Sequence, residues 1–577
     1  MSQDSKSSGQ YKFRRHDNLG AAAAEDDERF LASCFEDNGD VAVLLDCKNP
    51  KRIVLGRTGA GKTALLLELA KHSGFVVNVR PQDLSLNYLT NSTILPYLSS
   101  LGINLDPFYK LLWRHVFAVT IIQSHVDIVD SNQQRSFIEQ IRDFFASTES
   151  KAAKQQQQRH RQKALEYLEK WGDRFFEDVE HRTKAVIGRF ENEITTGVQS
   201  KLGGKISLPV GRFSPTLSAS RGNSNDDRTA QSIEIQQEVF ERAKAVVADI
   251  QVRELSGILE LLDEILSDSQ KPCYIAIDQL DEPWADDELK MRLLKGLLDT
   301  VREFGKVHNA KVIICLRVDL IEQLFRVTRS EAGFQEEKYR SLYLPLRWSN
   351  AQLEDLLDKR VAFLVRDAYT NYTPKLRDIV PENLRFGRRK QVDTVEYILE
   401  RTWGRPRDAI EFLNACITKS DGKASISKDA ILDAEGEYSR VSLRAIATEW
   451  HGQYPNLVDL LQAFLTNSPS QFKLASISDE RLENWSLKLA CSTNEELCEI
   501  YDLARKRQIT EITAEELRRE IAAVLYKTGC VGVKTTSSAA TRWATSESYS
   551  VSSAEIDDDT SISVHPGLWK VLGVDAG

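Results

Sequence analysis

Residues 56–63 read Gly56-Arg57-Thr58-Gly59-Ala60-Gly61-Lys62-Thr63 and fit G-x-x-x-x-G-K-[ST], a string that fixes what must surround it. Arg52-Ile53-Val54-Leu55 before it reads as a short buried strand, and residues 64–70 after it read as a helix. Strand, loop, helix is the context in which such a string cradles phosphate. Glycines let successive amides turn inward around a polyphosphate, and the helix N-terminus adds partial positive charge. Lys62 can then reach the terminal phosphates while the Thr63 hydroxyl binds Mg²⁺. All eight residues are therefore expected to bind a nucleoside triphosphate. The plainer alternative is a glycine-rich turn opening an ordinary helix, and the flanking strand weighs against it.

With 577 residues, 41% hydrophobic and 28% charged, the chain can bury a sizeable core in about three or four domains. No stretch approaches the roughly 18–20 apolar residues that cross a bilayer, and the N-terminus is polar, so a cytoplasmic protein without a membrane partner is expected. The cysteines lack C-x-x-C spacing, which suggests neither zinc nor a disulfide framework. A net charge of −9 argues against a non-specific coat for nucleic acid.

A second element follows at a distance. Tyr274-Ile275-Ala276-Ile277-Asp278-Gln279-Leu280-Asp281-Glu282 is an apolar strand ending in acids. A carboxylate at such an edge holds Mg²⁺ and a further acid polarises the attacking water. Asp278 is the metal candidate; Asp281 and Glu282 are the catalytic candidates, Glu282 being preferred. Alone, the acids would read as caps of the next turn. Residues 75–79, 312–316 and 342–346 supply further strands, giving five in an α/β core. Arg317, at the tip of one of them, either senses the γ-phosphate or pairs with a nearby acid such as Asp319.

The separation between the two elements exceeds one β-α-β crossover. An apolar stripe along 168–194, a Gly/Ser/Pro-rich loop at 200–227 and a returning helix at 230–267 account for it as an inserted helical hairpin. Its stripe reads as a packing seam rather than a cofactor box, either within the chain or between subunits; the latter makes a homo-oligomer the expected assembly. Beyond the core, Trp403-Gly404-Arg405-Pro406-Arg407-Asp408 marks a helix start from which Arg405 or Arg407 projects, toward phosphate or only toward solvent. Arg385, Arg388, Arg389 and Lys390 read as a solvated basic surface. Near the C-terminus, helices at 457–465, 479–489, 495–505 and 514–526 precede short strands at 531–533, 549–551 and 561–564, the order of a winged helix. Its expected reading helix would set Glu515, Glu516 and Glu520 against Arg518 and Arg519, so a protein contact is favoured over DNA.

Together, the loop, Ile277-Asp278-Gln279-Leu280-Asp281-Glu282, Leu316-Arg317 and Gly404-Arg405-Pro406-Arg407 resemble the STAND and KAP-like P-loop ATPases, related to AAA+ proteins, across residues 28–420. The resemblance implies a P-loop NTPase parallel sheet with an additional strand between the two motifs, a helical lid and often a winged helix. It also implies ATP and Mg²⁺ as cofactors, Lys62 and Thr63 as phosphate and Mg²⁺ residues, Asp278 as the strand-end aspartate, Arg317 as a sensor-like arginine and Arg407 as a lid arginine. Many bacterial members act in anti-phage defence or as signalling switches, so a separate effector or sensor protein is an expected partner. Gln279 departs from relatives that carry an acid there, which suggests slow hydrolysis. The expected division is a disordered 1–25, core at 26–147 and 269–348, helical insertion at 148–268, helical lid at 349–440 and a winged-helix-like α+β domain at 441–577. The expected function is an ATPase switch; a DNA-dependent ATPase and a non-catalytic nucleotide-binding scaffold are its rivals.

Overall fold

The computed structural model of the chain describes residues 11–73, 76–80, 102–125, 240–241, 244–245, 259–260, 262–263, 266, 272–328, 335–368, 373–386, 390–490, 499–536, 538–545 and 550–576. The chain forms two compact units. One, the sheet unit, comprises Gly39–Val54 and Leu66–Leu344; the other, the lid unit, comprises Met1–Asn38, Leu55–Leu65 and Pro345–Gly577.

All five expected core strands form. β1 (Ile53–Leu55), β2 (Val76–Val79), β3 (Cys273–Ile277), β4 (Ala310–Leu316) and β5 (Tyr343–Pro345) make a parallel sheet of order β2-β3-β4-β1-β5. Leu55 and Pro345, which end β1 and β5, are counted with the lid unit. β3 pairs with β2 from Val76↔Tyr274 to Val79↔Ile277, and with β4 from Cys273↔Ala310 to Ile277↔Ile314. Every residue of β3 and β4 is buried. That is why β3 and residues 312–316 of β4 read as unbroken apolar runs rather than alternating ones: a parallel sheet is covered on both faces. The order sets β4 between β1 and β3, an α/β arrangement compatible with a P-loop-like core.

Helices Asp106–His125 and Asp287–Glu303 pack on each other in the sheet unit. Gly296 lets them close, since a β-carbon there would stand 3.0 Å from Tyr109 Cβ. Trp113 Nε1 donates to Leu293 O at 2.8 Å, and Lys295 pairs with Asp106 at 2.6 Å. Asp286 caps the second helix by accepting from the Leu289 amide at 3.0 Å. The one cation on β4, Lys311, is buried; its ammonium donates to Val43 O and Asp46 O at 2.8 Å each, and burial pulls its pKa down to about 8.

The lid unit has two apolar centres. The first gathers Leu353, Leu357, Val395, Ile410, Phe412, Ile431 and Tyr438 from the helices between Asn350 and Glu449. Tyr11, Phe13 and Leu19 are buried in it too, so residues 11–25, expected to be disordered, are a packed strap. The strap is held by main-chain bonds, Phe13 N to Lys423 O at 2.9 Å and Gly422 N to Phe13 O at 2.8 Å, and by Leu19 N to Asn414 Oδ1 at 2.7 Å. The second centre is formed by helices Leu457–Leu465, Asp479–Ala490, Glu499–Gln508 and Ala514–Lys527 against the antiparallel sheet β8-β10-β9, with β8 at Gln471–Lys473, β9 at Val531–Lys534 and β10 at Ser561–Val564. Against the expected order of strands, Ser550 and Val551 are in no strand, and the third strand is β8, which precedes most of the helices.

One helix, Lys428–Glu449, runs through both centres, burying Ala430, Ile431 and Tyr438 in the first and Leu443 and Ile446 in the second. The expected boundary at residue 440 falls inside it. A hairpin of β6 (Asn383–Phe386) and β7 (Lys390–Asp393) occupies the segment read only as a basic surface; Arg385 is exposed on β6, and Arg388 and Arg389 lie outside the described residues. The inserted hairpin at 148–268 also lies outside them, apart from short helical pieces between residues 240 and 263 and buried Leu262 and Leu266. No helix among the described residues is long and apolar enough to cross a membrane.

Candidate functional site

The loop leaves fully buried β1 and ends where helix Lys62–His72 begins. Gly59 and Gly61 sit at φ +79° and +97°, where a side chain is strained, and a β-carbon on Gly59 would stand 2.8 Å from Arg407 Cβ. Every carbonyl from Gly56 to Ala60 accepts a hydrogen bond. Lys62 Nζ donates to Gly56 O and Arg57 O at 3.1 Å each, and Arg405 Nη1 donates to Thr58 O at 3.1 Å. The Arg407 amide donates to Gly59 O at 3.4 Å, and Trp348 Nε1 to Ala60 O at 2.9 Å. The amides of Gly59, Gly61 and Lys62 donate to no described residue. With the carbonyls tied on one side, these donors are left for an acceptor of another kind, which is the arrangement of an anion nest.

Side chains from distant parts of the lid unit reach the loop. Arg57 Nη2 donates to Thr528 O at 2.8 Å, and its Nε faces Glu449 Oε1 at 3.4 Å. Glu449 also accepts from the Thr58 amide at 3.4 Å and from Arg405 at 3.3 Å, and its side chain is 4% exposed. Burial, then the neighbouring Arg405, lowers the pKa of Arg57. Burial works against the charge on Arg405 as well, but Glu449 and Asp408 outweigh it and raise that pKa. Asp408 stands 3.7 Å from Arg405 Nε; burial pushes its carboxyl up to about 7, with Glu411 and Glu449 adding and Arg405 opposing.

Of the two arginines at the helix start, Arg405 therefore holds the loop through its side chain. Arg407 lies beside the loop through its main chain and β-carbon, while its Nε donates to Ala22 O in the strap at 2.9 Å. Glu449, Trp348 and Thr528 carry no motif, and nothing local in the sequence marks them.

The acids are built into the sheet unit. Asp278 Oδ1 accepts from the Gln279 amide at 2.9 Å, in a turn where Gln279 takes φ +59°, unusual for a residue with a side chain. Buried Leu280 anchors this turn, and Lys290 Nζ closes it by donating to Asp281 O and Glu282 O at 3.0 and 3.1 Å. Burial lowers the Lys290 pKa. Arg317 pairs with Asp319 at 2.7 Å and with Asp281 at 3.2 Å, so the salt bridge is the reading its geometry takes up. Asp281 and Glu282 are exposed and Asp278 is half-buried. The structure thus brings Asp281 together with Arg317, and the eight loop residues together with Arg405 and Arg407.

Helix Ala514–Lys527 opens on a capping box: Thr513 N donates to Glu516 Oε2 at 2.8 Å and Glu516 N to Thr513 Oγ1 at 3.2 Å. Arg518 is held by Asp558 at 3.0 Å and Asp479 at 2.6 Å, and Arg519 pairs with Glu515.

Compared with known proteins, residues 351–447 match the family profile described as FunZ-associated C-terminal helical domain. That segment holds Arg405 and Arg407 and ends just before Glu449. The chain is also 19% identical over 465 residues to an Escherichia coli K12 protein described as "Putative transposon gamma-delta 80.3 kDa protein", an alignment that covers 78% of this chain and 54% of that one. The chain spans about half the length of this curated relative.

Proposed function

We propose that the chain is an ATP-binding and hydrolysing P-loop ATPase that works as a conformational switch. One observation carries the reading: the carbonyls of residues 56–60 are all bound, while the amides of Gly59, Gly61 and Lys62 have no partner among the described residues. That polarity suits a polyphosphate and has no evident use in a structural turn. Lys62 exchanges its two carbonyl contacts for phosphate oxygens, and the Thr63 hydroxyl is the residue on this loop that takes the metal. Asp278 takes the part of the metal-facing acid, and Glu282 that of the acid that polarises water. Mg²⁺, when bound, neutralises charge on the polyphosphate. The switch character rests on Arg57, Thr58 and Ala60, each bound to a residue far along the chain.

Phosphate release tests this. Wild type should hydrolyse ATP slowly, and Glu282→Gln should bind ATP as wild type does and release phosphate about 100-fold more slowly. Equal release by both removes Glu282 from its role.

A second reading, a DNA-dependent ATPase, has the description of the E. coli relative in its favour. Against it, Arg518 and Arg519 are committed to Asp558, Asp479 and Glu515. Strong stimulation of phosphate release by duplex DNA, falling steeply with salt, would establish it over the switch.

A further inference from the structure

Arg57 stands where G-x-x-x-x-G-K-[ST] imposes no residue type, yet its side chain is more engaged than any other on the loop. Besides its bonds to Thr528 O and Glu449, its guanidinium lies against Gly529 so closely that a β-carbon there would stand 2.3 Å from Nη1. Gly529, at φ +77°, is thus required by the backbone and by the arginine together. Trp403 Nε1 donates to Gly529 O at 3.1 Å, and the Trp403 ring stacks on His565 at 4.0 Å. The guanidinium therefore sits on a segment that its own neighbours hold from behind, between helix Ala514–Lys527 and β9.

Glu449 closes the circuit. Its carboxylate serves Arg57, the Thr58 amide and Arg405, while Arg405 also donates to Thr58 O. Contacts at 3.3–3.5 Å are long for charge-assisted hydrogen bonds. Nearby, Arg405 Nη2 and Thr58 Oγ1 are buried with no hydrogen-bond partner among the described residues, and Arg405 Nε and Asp408 Oδ2 meet each other only as an ion pair at 3.7 Å. A buried network with long bonds and unmet atoms has other pairings within reach, so a small shift of the 57–58 peptide changes which pairs form.

We infer that Arg57 and Glu449 are positioning residues that carry the state of the phosphate loop to the Thr528–Cys530 segment of the C-terminal region. This rests on the proposal that the loop takes nucleotide. An occupant that draws the amides of Gly59, Gly61 and Lys62 toward itself moves the peptide on which Glu449 and Arg405 converge. The Arg57–Thr528 bond then shifts or breaks, and the end of helix Ala514–Lys527 is released or tightened accordingly.

Hydrogen–deuterium exchange on the full chain, with and without ATP and Mg²⁺, tests the inference. In wild type, exchange in peptides covering residues 525–533 should change several-fold on binding. Glu449→Gln keeps the shape of the side chain and removes its charge; Arg57→Lys keeps the charge and loses the fork that spans Thr528 O and Glu449. Each variant, brought to saturation with ATP and Mg²⁺ at whatever affinity it has, should lose the distant change, and the lysine variant covers the case in which Glu449→Gln fails to fold. ATP bound to wild type with no change at 525–533, or a full change in both variants, overturns the inference alone. No ATP bound to wild type overturns the nucleotide reading and takes this inference with it.

Discussion

The loop at residues 56–63 and the acidic turn both follow a buried strand of one parallel sheet, and they are held in opposite ways. The turn after β3 is secured mostly from nearby in sequence: Gln279 N bonds Asp278 and Lys290 closes Asp281 and Glu282, with Arg317, 36 residues on, pairing with Asp281 as well as with its neighbour Asp319. The loop after β1 is secured from far along the chain, by Trp348, Arg405, Glu449 and Thr528. A locally closed turn keeps its shape whatever the rest of the chain does. A loop gripped by remote residues has a shape that those residues can change, and that it can report to them.

Four substitutions press on this contrast. The largest effect is expected at Glu449: Glu449→Ala leaves Arg57 and Arg405 buried against each other and should cost about 3–5 kcal/mol in denaturant unfolding. The matching change in the turn, Asp319→Ala, leaves Arg317 with Asp281 and should cost about 1 kcal/mol. Equal costs would erase the contrast.

Asp408 gives a middle-sized effect read through pH. Its folded pKa of about 7 lies above the ordinary 3.8, so the stability it contributes is fully present below about pH 3.8 and is lost as pH rises through about 7. Between about pH 5 and about pH 8, wild type should lose on the order of 2 kcal/mol that Asp408→Asn does not lose. Parallel stability–pH curves would contradict this. The smallest effect is expected for Trp348→Phe, which keeps the ring and drops the bond to Ala60 O, weakening ATP binding by about 1 kcal/mol, or about fivefold.

What the sequence discloses follows the same division. β3 and β4 are legible because burial on both faces demands an unbroken apolar run, and the loop is legible because its backbone conformation demands glycine at 59 and 61. The capping box at Thr513 and Glu516 is legible because its partners are three residues apart. β8 is not, since Gln471-Phe472-Lys473 is too short to show alternation and is exposed at both ends. Nor is the β6–β7 hairpin, whose arginines read as a surface. Tyr11, Phe13 and Leu19 stand singly among polar residues, and only the lid surface they meet decides that they are buried. Glu449 is an acid at a helix end until Arg57, 392 residues away, and Arg405, 44 residues away, are folded against it.

Equilibrium titration of wild type and Lys62→Ala with ATP and Mg²⁺ tests most directly the proposal that the loop's open amides and Lys62 accept a triphosphate. Wild type should bind saturably, and Lys62→Ala should bind about 100-fold more weakly or not at all while unfolding at the same temperature. Equal affinity in the two proteins, or no binding by wild type, would contradict it.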